Sequence, residues 1–385
     1  MQILVESAQT LEALAEKLGN APFDFISIHG NCAVDFDRVA EVLPNAKCVH
    51  GATSCQGAMT GNGATSGVAA FAMLDPQGAY GTGFSAFDMP AHEAARAATI
   101  QALADAGRTG EQPNLIWVSA TPGAEEEVLN GIESVVGAGD VPIIGGSAAD
   151  NDVTGSWSVF SASDKTDNGV IVTVMFPSTK VSFAYQNGYS PTDKIGTVTR
   201  ADGRTIAEID HRPAMEVYRE WTGGAVDKPA EGQKEHAILS QSTFWPLGRE
   251  VSQVGDVPLY LLAHPAVAHE NGSMDLFANI AEGEKITQMN GTAQSLIERA
   301  GRVAALARTG GRMQDKPIAG ALMIYCGGCM LSVQDHIGEV ASGVDAALGS
   351  APFLGAFTFG EQGSLLRAGN RHGNLMISCI VFGQT

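Results

Sequence analysis

The sequence predicts an α/β protein made of repeated strand-helix-strand-helix-strand-strand units that form mixed sheets, with a mainly β region in the middle. Three observations predict it. Short apolar runs that stop at glycine recur at Lys47-Cys-Val-His-Gly-Ala-Thr-Ser-Cys55, Val141-Pro-Ile-Ile-Gly-Gly-Ser-Ala-Ala-Asp-Asn151 and Ala351-Pro-Phe-Leu-Gly-Ala-Phe-Thr-Phe-Gly-Glu361. Amphipathic helical segments alternate with such runs in a recurring order, the signature of an internal repeat. Between the second and third copies, residues 177–283 change texture to short strands separated by turn residues.

Taken in order, Met1 to Val5 reads as a strand and Ala8 to Leu18 as a helix with Leu11, Leu14 and Leu18 on one face. Phe23 to Ile28 is a strand ending at His29, Phe36 to Val42 a short helix, Lys47 to His50 a strand and Gly67 to Met73 another. Gly61-Asn-Gly-Ala-Thr-Ser-Gly67 is glycine-rich but lacks the lysine of a phosphate loop, so it reads as a hairpin connection. The second copy runs from the strand Ala79 to Phe87, through a helix opened by Pro90, to the strands Asn114 to Val118, Val141 to Ile144 and Gly169 to Phe176. Its second helix, from Glu125, starts with three acids that complement the helix dipole and call for no other role. The third copy is expected to begin with Lys285 to Met289, and to continue through a helix carrying Leu296, Ala300, Val303 and Ala307. Ala319 to Tyr325, a helix from Leu331 to Leu348, Pro352 to Leu354 and Asn374 to Phe382 complete it. In the middle region Val181 to Tyr185, Gly196 to Arg200, Ala237 to Phe244, Val257 to Ala263 and Ser273 to Ala278 read as strands, and Pro213 opens one helix.

The 385 residues suffice for a sizeable core, and a formal charge of −19 argues against binding a nucleic-acid backbone or an anionic membrane. The amino terminus has no basic leader and no run reaches the length of a membrane span, so a cytoplasmic location is the expectation. Six scattered cysteines suggest reduced thiols.

Strands joined through a helix run parallel, so their carboxyl ends reach one edge of the sheet, where ligands of open α/β sheets lie. That edge is expected to gather Gly145, Gly146, Ser147, Asp150 and Asn151, facing His29, Cys55, Cys326 and Glu361. Glycine amides there suit a carboxylate, and Asp150 and Glu361 an ammonium, a combination that points to a zwitterionic metabolite such as an amino acid. Ser147 lacks the second glycine of a nucleophile elbow and reads as a hydrogen-bonding residue, so no catalytic residue is assigned. Cys326-Gly-Gly-Cys329 stands between an apolar strand and a helix, where it is a candidate redox pair or half of a zinc or iron–sulfur site, with Cys326 expected to be the more reactive thiol. Plain packing of these thiols is the competing explanation.

The stretches Gly145-Gly-Ser-Ala-Ala-Asp-Asn151, Thr199-Arg-Ala-Asp-Gly-Arg-Thr-Ile-Ala-Glu-Ile-Asp210, Arg212-Pro-Ala-Met-Glu-Val-Tyr218 and Gly355-Ala-Phe-Thr-Phe-Gly-Glu361, with Asn370, resemble the bacterial FIST proteins in order and spacing over nearly the whole chain. The resemblance implies a FIST N-terminal domain over residues 1–220 and a FIST C-terminal domain over residues 222–385. It also implies a sensory role in signal transduction, a small-molecule ligand, and a separate signalling protein as partner. Some members bind haem and respond to nitric oxide, so haem is an implied cofactor, with zinc or an iron–sulfur cluster behind it. Where the family pattern has Cys-x-x-Arg, this chain has Cys326-Gly-Gly-Cys329, so a ligand held by that arginine is not expected.

Overall fold

Leucines at helical spacing need a cap and a stop to become a helix, and the first unit supplies both. In this computed structural model, which describes residues 1–384, the Thr10 side chain accepts from Ala13 N and Gly19 ends the turn at φ 70°, leaving Leu11, Leu14 and Leu18 buried. The unit reads β1 (Gln2–Ala8), α1 (Leu11–Leu18), β2 (Phe25–Gly30), α2 (Val39–Val42), β3 (Val49–Thr53), a hairpin of β4 (Ala58–Thr60) and β5 (Gly63–Thr65), and β6 (Val68–Leu74). β2 and β3 are parallel, and β6 returns antiparallel between β1 and β2, giving the order β1-β6-β2-β3.

The second unit follows the same plan with β7 (Ala79–Ala86), α3 (Ala91–Asp105), β8 (Leu115–Ala120), α4 (Glu125–Val136), β9 (Ile143–Ser147), the pair β10 (Val159–Phe160) and β11 (Lys165–Thr166), and β12 (Gly169–Phe176). Its order is β7-β12-β8-β9. The third sheet starts with β13 (Val181–Gln186), after which the chain leaves for a separate nine-stranded sheet. That sheet holds β14 (Ser190–Asp202), β15 (Thr205–Ile209), β16 (Arg212–Pro213), β17 (Glu235–Ala237), β18 (Leu247–Val254), β19 (Val257–Ala263), β20 (Pro265–His269), β21 (Met274–Leu276) and β22 (Lys285–Asn290), with helices α5 (Ala214–Trp221) and α6 (Leu239–Ser242). The chain then returns through α7 (Ala293–Gly310), β23 (Ile318–Cys326), α8 (Gly327–Ser332), α9 (Ile337–Leu348), β24 (Phe353–Thr358), the hairpin of β25 (Glu361–Leu365) and β26 (Gly369–Gly373), and β27 (Ile377–Gly383). The order β13-β27-β23-β24 matches the other two.

Two expectations are corrected here. The strand Lys285–Asn290 does not open the third sheet but pairs with β14 and β18 in the inserted one, and Val181–Gln186 takes that place beside β27. The insertion lies between β13 and α7, so the strand just before the helix belongs to the insertion, and strand pattern alone carries no record of which sheet it joins. Ala237 to Phe244 is not a strand either: β17 ends at Ala237 and α6 follows, with Ser242 Oγ donating to the carbonyls of Leu239 and Pro265.

The three sheets are tied by exchanged strands. The β4–β5 hairpin of the first unit extends the third sheet beyond β24, β10–β11 of the second extends the first beyond β3, and β25–β26 of the third extends the second beyond β9. Each exchanged strand crosses a glycine. A Cβ on Gly51 would lie 1.9 Å from the Phe160 ring, and one on Gly355 would lie 2.6 Å from Met59 Cε. The sheets enclose a common core containing Phe25 and Phe71 from the first, Trp117 and Met175 from the second, and Leu322 and Phe382 from the third. The helices cover the outside, and the inserted sheet has its own core around Val198, Ile206, Tyr218 and Ile286. Among the described residues no helix is long and apolar enough to cross a membrane.

Candidate functional site

The parallel strands of the second and third sheets end side by side, and the inserted sheet closes over them. Between them lies a cavity of about 550 Å³ whose wall is mainly apolar, with Trp157, Phe244, Phe277, Phe359 and Leu331 contributing the body. Its ionisable wall comes from Glu125, Arg204, His264, Cys326 and Glu361, with Ser240, Thr243, Ser332 and Asn374 as neutral polar groups. A larger hollow of about 720 Å³ opens at the opposite, amino-terminal edge, between β1 and the segment 348–352. There Arg308 is committed to the carbonyls of Ala347 and Gln314, so the carboxyl-edge cavity is where ionisable groups converge.

One polar chain runs from the cavity into the second sheet. Arg204, in the β14–β15 turn, donates to Glu125 Oε2 at 2.7 Å and Glu126 Oε2 at 2.8 Å, clasping the inserted sheet to the start of α4. Glu125 is buried, and its Oε1 accepts from Ser147 Oγ at 2.9 Å. Burial pushes the Glu125 carboxyl up, but His372 and the Arg204 guanidinium pull it below the usual carboxylate range. Gln362 Nε2 lies 3.2 Å from His372 Nδ1 and donates to Ser147 Oγ at 3.4 Å, and His372 Nε2 donates to the Phe277 carbonyl at 3.1 Å. Because a carbonyl only accepts, that last bond places the His372 proton on Nε2.

The second polar group is Glu361 with the cysteine pair. Glu361 is fully buried and accepts from Thr358 Oγ1 at 3.0 Å and Met376 N at 2.9 Å. Burial first, then Cys326, pushes its carboxyl well above the usual range. Its register position is informative. Glu361 pairs with Gly146 across β25 and β9, whereas the corresponding pairs in the other sheets are Val159 with Ala52 and Ala58 with Ala356. Two junctions are apolar and the third carries an acid.

Cys326 caps the amino end of α8 in the cavity wall, 5% exposed, while Cys329 is wholly buried with its Sγ 3.6 Å from Tyr189 Oη. Burial and Cys329 push the Cys326 thiol well up. Burial also opposes ionisation of Cys329, but its hydrogen bond with Cys326 and the buried Arg299 guanidinium hold it below the ordinary thiol value. The motif puts Cys326 forward as the more reactive thiol, whereas burial disfavours its thiolate and the Arg299 guanidinium favours that of Cys329.

The residues expected at the edge divide into those that meet the cavity and those that serve the fold. Cys326 and Glu361 line it, and Ser147 touches it through Glu125. Gly145 and Gly146 do not: their missing side chains make room for the Val118 carbonyl and for Thr358. Asp150 is buried and accepts from the backbone amides of Asp152, Val153, Thr154, Gly155 and Ser156, which close its own loop. Asn151 accepts from Gln56 N and donates to Asn31 Oδ1, joining loops of the first two units. His29 lies in the common core, bonded to Ser27, with burial pushing its pKa down to about 3. Cys55 is buried against Phe357, its N donating to that carbonyl, and burial pushes its thiol up to about 12. Sequence reasoning missed Glu125, Arg204, His264 and Trp157. Arg204 was visible inside the stretch Thr199 to Asp210, but its partners lie about eighty residues away in the chain.

The donors present decide the metal and haem expectations. Among the described residues, Glu125, Glu126 and His372 are the one set of three donors close enough to share an ion. Arg204 already neutralises both carboxylates and both His372 nitrogens are hydrogen-bonded, so the set does not fit a resident metal. His264 faces the cavity with burial lowering its pKa to about 4, but its Nε2 is bonded to the Leu239 carbonyl at 3.0 Å. The ring would have to surrender that bond to present Nε2 to an iron, so the wall is not arranged around a haem.

Comparison with known proteins bears on the whole chain. An uncharacterized protein of Methanocaldococcus jannaschii, MJ1623, is 30% identical over 97 residues, which is 25% of this chain and 18% of that protein. The crystal structure of cyanuric acid hydrolase from A. caulinodans aligns over 100% of this chain and 99% of its own at 10% identity, with a TM-score of 0.37 that carries nothing to this chain. The FIST N domain matches residues 23–212 and the FIST C domain residues 214–364, and their junction falls at β16, inside the inserted sheet. With both domains matched over most of its length, this chain belongs to the FIST family of signal-transduction sensory proteins, whose domains are thought to bind small ligands.

Proposed function

We propose that this chain is a cytoplasmic sensory protein that binds a small amine-bearing metabolite between its carboxyl edge and its inserted sheet, and acts through a separate signalling partner. The observation that carries the reading is the 550 Å³ cavity, with aromatic walls for a ligand body and two small polar clusters for its head group. The Arg204 clasp to Glu125 and Glu126 gives the ligand something to move, since a charged guest beside it changes the balance that holds the two parts together. A partner would read that movement.

The test is thermal stabilisation of the purified protein across a metabolite panel, with mass and absorption spectra of fresh protein to reveal anything co-purified. A sensor shows saturable stabilisation with the metabolite recovered unchanged. Conversion of the metabolite during the assay would replace this reading with an enzymatic one.

A further inference from the structure

The cavity has a sign. Arg204 faces both Glu125 and Glu126, so one positive charge there meets two negative ones. His264 is neutral through burial, its Nε2 engaged by Leu239. Glu361 takes its hydrogen bonds from two neutral donors, the Thr358 hydroxyl and the Met376 amide. Its other charged or titratable neighbours are Cys326 and Cys329 at α8, Tyr185 from β13 and Arg299 from α7. The Arg299 guanidinium lies behind the wall, where it donates to the Leu375 carbonyl and covers the Tyr189 ring.

A ligand carboxylate finds no uncommitted cation in the lining, only the neutral side chains of Ser240, Thr243, Ser332 and Asn374. The strand glycines do not offer free amides, because Gly145 and Gly146 are paired on both sides between β8 and β25, and Ser147 N donates to Gly360 O at 2.8 Å. A carboxylate brought to Arg204 would be the third acid around one guanidinium. An acid at the position where the other junctions carry Val159 and Ala58, beside aromatic rings that attract cations, points to a positively charged head.

Building on the cavity as the ligand site, we infer that it selects an organic amine, an ammonium on an apolar or aromatic body, over the corresponding zwitterionic amino acid or carboxylic acid. Glu361 is the residue that reads the head group. In the complex the Glu361 carboxylate is the counter-charge to the ammonium.

Three probes with one body and different heads test this on the intact protein: 2-phenylethylamine, phenylalanine and 3-phenylpropionate, each measured by calorimetry. The amine is expected to bind at least about tenfold tighter than phenylalanine, with phenylpropionate weakest. Glu361→Gln, which keeps the shape and both neutral donors, should weaken the amine about tenfold or more while leaving the melting temperature unchanged or higher. Leu331→Trp, which narrows the cavity, should weaken whatever binds there. Equal binding of all three heads, each weakened by Leu331→Trp, would overturn the amine preference while keeping the cavity. Amine binding indifferent to Leu331→Trp would overturn both, and so would failure of all three to bind at millimolar concentration.

Discussion

The ring of Phe160 occupies the space where Gly51 would carry a side chain. Phe160 arrives on a strand exchanged from the second unit and stacks on Phe36 with ring centroids 4.4 Å apart. Gly51→Ala therefore forces a rigid ring out of a packed core, and a loss of about 3 kcal/mol, the upper part of the overpacking range, is expected in denaturant unfolding. Gly355→Ala meets the flexible Met59 instead and should cost about 1 kcal/mol.

The exchanged strands also bear on the two family domains. The third sheet takes β13 from the residues matched by the FIST N domain and β23 and β24 from those matched by the FIST C domain, with β27 beyond that match, and strands are exchanged between the sheets. Residues 1–213 and 214–385 produced separately are expected to lack a cooperative unfolding transition, because each leaves sheet edges and core uncovered. Two independently melting fragments would contradict the exchanged topology.

Asp150 is expected to act on stability more than on binding. Asp150→Ala removes the acceptor of five backbone amides and should cost about 2–3 kcal/mol, with a smaller loss of ligand affinity in the folded protein because Val153 and Trp157 line the cavity. The amides outweigh burial and hold its carboxyl below the ordinary value, so its contribution is full above the unfolded-state pKa of about 3.9 and is lost as pH falls through the folded-state value. Acid titration of parent and variant should converge at low pH.

Arg204→Met leaves Glu125 buried with its charge uncompensated. A loss of about 3 kcal/mol is expected, at the low end for a broken buried pair because Arg204 keeps 22% of its side chain exposed. Glu125→Gln in the same chain should recover part of it, a coupling measurable in a double-mutant cycle.

For the thiols, Cys32 is the one partly exposed cysteine among the described residues and should be alkylated first in native protein. Cys326 and Cys329 should react on the time scale of local opening, with Cys329 ahead of Cys326 once reached. Rapid labelling of Cys326 in the native state would restore the reactivity order that its motif suggests.

By itself the sequence determined the α/β class, the glycine-ended strands, the β-rich insertion and the family, because these are local properties: spacing reports which face is buried, and glycine reports where the chain is crowded. It also determined that Cys326 and Glu361 reach the carboxyl edge, since that follows from strand direction alone. Only the tertiary structure decided that Val181–Gln186 and not Lys285–Asn290 opens the third sheet, that Asp150 closes its own loop, and that Arg204 meets Glu125. These depend on pairing between distant segments, such as Ser54 with Phe357, 303 residues apart. No local pattern encodes the partner, because a strand edge or a carboxylate offers the same bonds to any segment the fold delivers, and the exchanged strands and the insertion are what deliver them.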